Sequence, residues 1–267
     1  MKKIQESCLL CSSQNHSIIH TVEKMNLVKC GNCKFIYLRT IPDESVLYES
    51  YHEWTGFSLE DYCKSGNDDS LKALWNINQQ RVNKIIDFRK GGDLLDIGCG
   101  SGAFMLSARE YGFNPQGIDV SNKAIEFIND QLDLQASTKS ITELEKNFEI
   151  ITLWHVLEHF LDPVSELKNI HQKLENNGIL VGEVPNWNSI KFQLSGQKWE
   201  GGNHPLYHRS FFTPNTLQRA ILEAGFSSFR LVHLPYTSSG KKDAYYFLKK
   251  VFNLINRDAF LTFIAWK

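Results

Sequence analysis

The chain has 267 residues, 42% hydrophobic and 22% charged, with a formal net charge of -1. That length holds one sizeable domain, or one domain with a small appendage, and the balance is that of a soluble globular protein. The near-neutral charge argues against a nucleic-acid footprint; no apolar run is long enough to span a bilayer, and Met1-Lys2-Lys3 leads into no signal-type apolar core, so a cytoplasmic protein is expected.

Four of the six cysteines form Cys8-x2-Cys11 and Cys30-x2-Cys33, with eighteen residues between the pairs. This is zinc-ribbon spacing, expected over residues 1–40. Two thiolate pairs close a tetrahedron around Zn²⁺, and the metal supplies folding energy that so short a segment cannot draw from its own core. A redox or disulfide function is the competing reading. Nothing suggests secretion, and two matched knuckles favour zinc in a structural role, because four thiolates leave no open position. Of the remaining cysteines, Cys63 has no assigned role and Cys99 reads as a small packing residue.

Residues 41–69 form a connector holding Tyr48, Tyr51, His52, Trp54, Phe57 and Tyr62. So many aromatics in a polar stretch pack either on the next domain or on a substrate. From Ser70 to Phe88 the positions Leu71, Leu74, Trp75, Val82, Ile85 and Ile86 share one helical face, and Gly91-Gly92 ends the helix.

The next segment, Leu94 to Ser121, reads as a buried strand, a glycine turn, a helix and a second strand ending on Asp119. Gly98, Gly100 and Gly102 permit a tight turn and close backbone approach to a ligand at a helix N-terminus. Asp119 sits where a carboxylate accepts the hydroxyls of a ribose. The run from Gly98 to Ala103 also fits the loose dinucleotide pattern G-x-G-x-x-G/A, which points to NAD. Asp96 argues the other way: a fixed carboxylate beside the turn repels a pyrophosphate but suits a cofactor carrying an ammonium and a sulfonium.

Helices and strands then alternate. A helix follows a Ser121 cap, a β-branched strand runs from Phe148 to Trp154, and Asp162-Pro163 opens a helix stopped by Asn176-Asn177-Gly178. A strand from Gly178 to Val184, a helix from Thr213-Pro214 to before Gly225, and a strand from Phe226 to Leu234 complete the series. This order implies an α/β fold whose mostly parallel sheet binds ligands beyond the carboxyl ends of its strands.

LLDIGCGSG (Leu94–Gly102) and GIDVS (Gly117–Ser121) resemble the first two motifs of the class I S-adenosylmethionine (SAM)-dependent methyltransferases. The resemblance covers residues 70–267 and implies a Rossmann-like sheet with a last strand, Ala259 to Trp266, inserted antiparallel. It places Asp96 toward the methionyl ammonium, Gly98, Cys99, Gly100 and Gly102 around the cofactor, Asp119 on the ribose, and Val120 beside the adenine. Ser140 and Ile141 match the adenine-edge position, without the acid many relatives carry there. Trp154 to Pro163 resembles the WHVLEH-x-x-DP motif of small-molecule methyltransferases, which puts Trp154 and His155 beside the methyl group and makes His155 the leading general base. Glu158 and His159 read as braces of the following turn.

Residues 185–212 form an insertion too long for an ordinary connection, and long loops in compact domains are commonly lids or binding loops. Its run of His204, Tyr207, His208 and Arg209 resembles the substrate-side segment of zinc-ribbon methyltransferases. His204 and His208 are further catalytic candidates, and Tyr207 and Arg209 are substrate contacts. Residues 241–257 form a helical insertion whose apolar face (Tyr245, Leu248, Val251, Phe252, Ile255) packs on its own domain, contacts a second copy, or attaches to a membrane surface.

The expected enzyme transfers a methyl group from SAM to a small-molecule acceptor, a sugar or polysaccharide-precursor hydroxyl, with zinc in the ribbon. The sugar C-methyltransferases it resembles normally carry a large further C-terminal domain, and without it a hydroxyl is the expected acceptor. The rival readings are a nucleic-acid methyltransferase gripping its substrate through the ribbon, and a SAM-binding protein without turnover.

Overall fold

A computed structural model describes residues 3–22, 24–41, 68–195, 208–234 and 255–267. Most of the aromatic connector, His204 and Tyr207, and nearly all of the 241–257 segment lie outside the described residues.

Strands β2 (His16–Val22), β3 (Met25–Cys30) and β4 (Ile36–Leu38) form an antiparallel meander, while β1 (Lys3–Ile4) pairs with β5 (Thr40–Ile41). Cys8 and Cys11 lie in the turn before β2; Cys30 ends β3 and Cys33 lies in the turn between β3 and β4. Both knuckles use left-handed residues, Ser12 (φ 57°) and Lys34 (φ 65°), to bring each cysteine pair round to the same side.

The larger layer begins with α1 (Asp68–Ile86) and continues β6 (Gly92–Ile97), α2 (Ala103–Glu110), β7 (Phe113–Ile118), α3 (Asn122–Gln131), β8 (Gln135–Ser137) and β9 (Phe148–Trp154). It then runs α4 (Pro163–Lys173), β10 (Leu174–Pro185), α5 (Ile190–Ser195), β11 (Ser210–Phe211), α6 (Pro214–Glu223), β12 (Ser228–Val232) and β13 (Phe260–Trp266). The seven-stranded sheet has the order β12-β13-β10-β9-β6-β7-β8, parallel except for β13, which runs antiparallel to both neighbours. Strand order reverses between β6 and β9, which opens a crevice at their carboxyl ends. Leu94, Leu95, Ile150, Ile151, Leu180 and Val181 are fully buried because helices cover both faces of the sheet.

Local chemistry explains where the helices begin. The Ser121 hydroxyl accepts from Ala124 N–H at 3.3 Å, and Asp162 Oδ1 accepts from Val164 and Ser165 N–H at 3.1 and 3.0 Å. Thr213 caps α6 in the same way at Thr216 N–H, and Pro163 and Pro214 supply the fixed φ of a first turn.

The ribbon does not stand apart. Strand β11, from the 185–212 insertion, joins the ribbon as a fourth strand against β4, with Ser210 opposite Tyr37 and Phe211 opposite Ile36. One apolar cluster runs from Cys8, Val28, Phe35 and Tyr37 through Phe212 to Val184 and Leu217, with the Phe35 and Phe212 rings 5.5 Å apart. The insertion, read as a substrate-side loop, is thus partly a structural splice: it supplies the short helix α5 and the strand that anchors the ribbon.

Candidate active site

The turn after β6 is built by geometry that favours glycine. Gly98, Gly100 and Gly102 all have positive φ (68°, 50° and 75°). A Cβ on Gly98 would lie 2.5 Å from Val156 Cγ2, whereas one on Gly100 meets nothing within 4 Å among the described residues, which leaves that side open to a ligand. Gly98 and Cys99 N–H both donate to the Ile118 carbonyl, at 2.8 and 3.2 Å. Cys99 is buried against Met105 and Ile128, a packing residue.

Asp119 joins the turn to the end of β7. Its Oδ2 accepts from Gly100 N–H and its Oδ1 from Ser121 N–H, both at 2.9 Å. Each oxygen keeps a further lone pair, the capacity that two ribose hydroxyls require. Next to it Val120 is 52% exposed, an apolar surface with little cover. Ile141 is buried, and the Ser140 N–H and hydroxyl are both taken by Glu143 Oε2 at 2.7 Å, so Ser140 serves as a cap of its own turn.

Asp96 is almost wholly buried and accepts from Thr152 Oγ1 at 2.7 Å. Burial raises its pKa to about 7, against the Thr152 hydrogen bond and the Arg81 charge, with Asp119 adding to the rise. A cationic group of a ligand arriving here would meet a carboxyl on the edge of ionisation.

At the end of β9, Trp154 packs on Phe104 and lies under the Arg81 guanidinium, 4.5 Å from the ring centroid. Arg81 also reaches Glu183 Oε1 at 3.2 Å. Glu183 stands opposite Trp154 in the parallel β9–β10 register, is 1% exposed, and accepts from Thr262 Oγ1 at 2.6 Å. Neither Arg81 nor Glu183 is prominent in the sequence. The available signal is a lone carboxylate inside the apolar run Ile179–Val184, which must find partners.

His155 has a left-handed backbone (φ 59°), and its N–H donates to the Glu183 carbonyl at 2.9 Å. Its Nε2 lies 3.1 Å from Glu183 Oε1 and its Nδ1 3.5 Å from Glu158 Oε1. Burial lowers its pKa, but the two carboxylates outweigh it and raise the value to about 9. Burial likewise raises the Glu183 pKa and is outweighed by His155 and Arg81, which bring it to about 2. A general base needs a vacant nitrogen facing the acceptor; here both nitrogens face buried carboxylates, so the sequence expectation for His155 does not match its surroundings.

The remaining candidates gather on the far side of Glu158. His208 is 7% exposed and its ring lies edge-on to His159, with centroids 4.8 Å apart. Burial lowers the His208 pKa to about 4, with Glu158 pulling the other way. Arg209, expected to reach out to substrate, is 5% exposed, and its main chain bridges Glu158 and the ribbon. Local sequence offered no sign of this, because the bridge depends on β11 pairing with β4.

The four ribbon cysteines fit a metal. Cys8 and Cys33 Sγ are 3.5 Å apart, as are Cys11 and Cys30 Sγ, and all four sulfurs lie within 4.8 Å of one another with no disulfide formed. A tetrahedral zinc with Zn–S near 2.3 Å spaces its sulfurs by about 3.8 Å.

A parallel sheet with one reversed strand, a three-glycine turn after β6 and a carboxylate at the end of β7 are the architecture of a class I SAM-dependent methyltransferase. Residues 51–230 match the Methyltransferase domain family, and the chain belongs to it. Curated relatives include the ubiquinone biosynthesis O-methyltransferase of Nitrosospira multiformis, 26% identical over 187 residues and covering 63% of this chain and 77% of the relative. The enzyme of that name from Coxiella burnetii is 31% identical over 160 residues, covering 56% and 67%. Among solved structures, a Thermotoga maritima SAM-dependent methyltransferase, described as a possible histamine N-methyltransferase, superposes with a TM-score of 0.57 at 16% identity, covering 81% of this chain and 99% of that one. Burkholderia thailandensis 1,6-didemethyltoxoflavin-N1-methyltransferase, solved with S-adenosylhomocysteine, gives a TM-score of 0.54 at 14% identity, covering 95% and 99%. At these identities the structures establish the shared fold.

Proposed function

We propose that this enzyme methylates a hydroxyl of a small molecule. The curated relatives named above are O-methyltransferases of ubiquinone biosynthesis, so a phenolic hydroxyl is the first acceptor class to test. The sugar or polysaccharide acceptor expected from the ribbon has no counterpart among those relatives. A near-neutral charge offers no support for a nucleic-acid substrate. No helix among the described residues is long and apolar enough to cross a membrane.

The observation that carries the cofactor assignment is Asp119, fixed by Gly100 and Ser121 N–H with lone pairs to spare. In this reading Asp119 takes the ribose hydroxyls, Val120 packs on the adenine, Gly98 to Gly102 line the turn, and Asp96 compensates the methionyl ammonium. Transfer is an in-line displacement: an acceptor oxygen lone pair forms the O–CH₃ bond, the C–S pair returns to sulfur, and the hydroxyl proton leaves to water. Trp154 and His155 flank the methyl. His155, braced by Glu158 and Glu183, serves as a positioning residue. The ribbon cysteines hold a structural zinc that supplies folding energy and takes no part in the displacement.

Calorimetric titration with S-adenosylhomocysteine, with NADH in parallel, tests the assignment. Micromolar binding of S-adenosylhomocysteine alone, lost in Asp119→Ala, is the expected result. Binding of NADH alone would overturn it.

A further inference from the structure

We propose that Glu158, His159 and His208 form a second divalent-metal site, separate from the four thiolates. One ligand atom from each of the three residues lies within 4.8 Å of the other two. Glu158 and His159 come from the single turn after β9, and His208 from the residue pair that leads into β11. Their backbones are fixed by hydrogen bonds from His159 N–H to the Val156 carbonyl at 2.9 Å and from Arg209 N–H to the Glu158 carbonyl at 2.8 Å.

Two residues of this cluster carry buried polar atoms without a hydrogen-bond partner. The Glu158 side chain is 1% exposed, yet neither carboxylate oxygen has a hydrogen-bond partner; the facing His155 Nδ1 stands off at 3.5 Å. His208 is 7% exposed, with its buried Nδ1 also lacking a hydrogen-bond partner. Buried carboxylates and imidazoles are ordinarily satisfied by donors, water or metal. A dication satisfies both groups at once.

The donor set indicates which ion. Two imidazoles and a carboxylate suit a borderline first-row dication such as Zn²⁺, Fe²⁺ or Mn²⁺. Three protein ligands leave coordination positions open, in contrast to the closed four-thiolate ribbon. The site adjoins the carboxyl end of β9, where the proposed methyl transfer takes place. Resting on that reading, Glu158, His159 and His208 would hold the ion, which would supply Lewis-acid polarisation of the acceptor oxygen. Its O–H proton passes to water, its lone pair forms the bond to the methyl carbon, and the C–S electrons return to sulfur. This also accounts for a site in which both nitrogens of the apparent base face carboxylates.

Cobalt(II) titration of the demetallated full chain distinguishes the two sites, because thiolate ligation gives an intense charge-transfer band and nitrogen–oxygen ligation does not. The expected result is two equivalents bound, one of them without that band. His208→Ala and the less buried His159→Ala should each weaken the second equivalent at least about tenfold while the charge-transfer band stays. A wild-type protein binding only one, thiolate-ligated equivalent would overturn the proposal, as would unchanged second-site affinity in both variants. S-adenosylhomocysteine binding is read separately on the same samples. Its presence alongside a single thiolate-bound ion sinks the metal site alone, and its absence from the wild type sinks the methyltransferase reading.

Discussion

Glu158 and Leu38 are joined through one residue. Arg209 donates its N–H to the Glu158 carbonyl and accepts at its own carbonyl from Leu38 N–H, both at 2.8 Å. Strand β4 of the ribbon and the turn that follows β9 therefore share a single residue as their common partner.

Chelating the metal proposed for the four-cysteine cluster, or the substitution Cys11→Ser, should disturb those two hydrogen bonds. Amide exchange at Leu38 and Arg209 is expected to accelerate together by at least about tenfold, while Ile151 and Leu153 in the central sheet keep their protection. An Arg209 amide that stays protected after metal loss would show the ribbon to be mechanically independent of the site.

Glu183→Gln should be strongly destabilising. The carboxylate is 1% exposed and faces Arg81, His155 and Thr262, so its loss leaves buried cations uncompensated, at a cost of about 3–5 kcal/mol. Urea unfolding checks this; a cost within experimental error would mean that water already compensates these charges.

Asp96 makes stability depend on pH with a defined sign. Its folded pKa, about 7, lies above the ordinary value of 3.8 that holds in the unfolded chain, so the folded state holds the extra proton between them. Its contribution is fully present below about pH 4 and lost as pH rises to about 7. Asp96→Asn should flatten that part of the wild-type stability profile. Parallel wild-type and variant profiles from pH 4 to 8 would contradict the raised value.

Gly98→Ala should cost both stability and cofactor affinity, because its φ is 68° and the new Cβ would lie 2.5 Å from Val156 Cγ2. Adding Val156→Ala removes the clash but not the backbone strain. The double variant should recover part of the loss, of the order of 1 kcal/mol by thermal or denaturant unfolding. Strict additivity of the two substitutions would place Val156 elsewhere.

The central sheet was legible because its signals are local. Strand β9 falls on Phe148–Trp154 as read, and the caps at Ser121, Asp162 and Thr213 each make the hydrogen bonds their residue types suggest. What escaped depends on distant partners. Strand β8 is three residues without apolar alternation, and β11 exists only because Tyr37 and Ile36 stand opposite it. The surroundings of His155 were half visible: Glu158 follows at helical spacing, but Glu183 arrives through the register of a neighbouring strand.

The reversed strand β13 has a consequence for the order in which the chain is made. Among the described residues, strand β12 pairs with the sheet only through β13, which is synthesised after it and slots between β12 and β10. Residues 228–232 therefore gain their sheet partner only once residues 260–266 have been made. The open flank of β10 carries Glu183, whose bond from Thr262 closes with the incoming strand. The electrostatic setting of the site is thus completed by a segment made after β12, and a nascent chain stalled before it would display a bare strand edge with a charged residue near its carboxyl end.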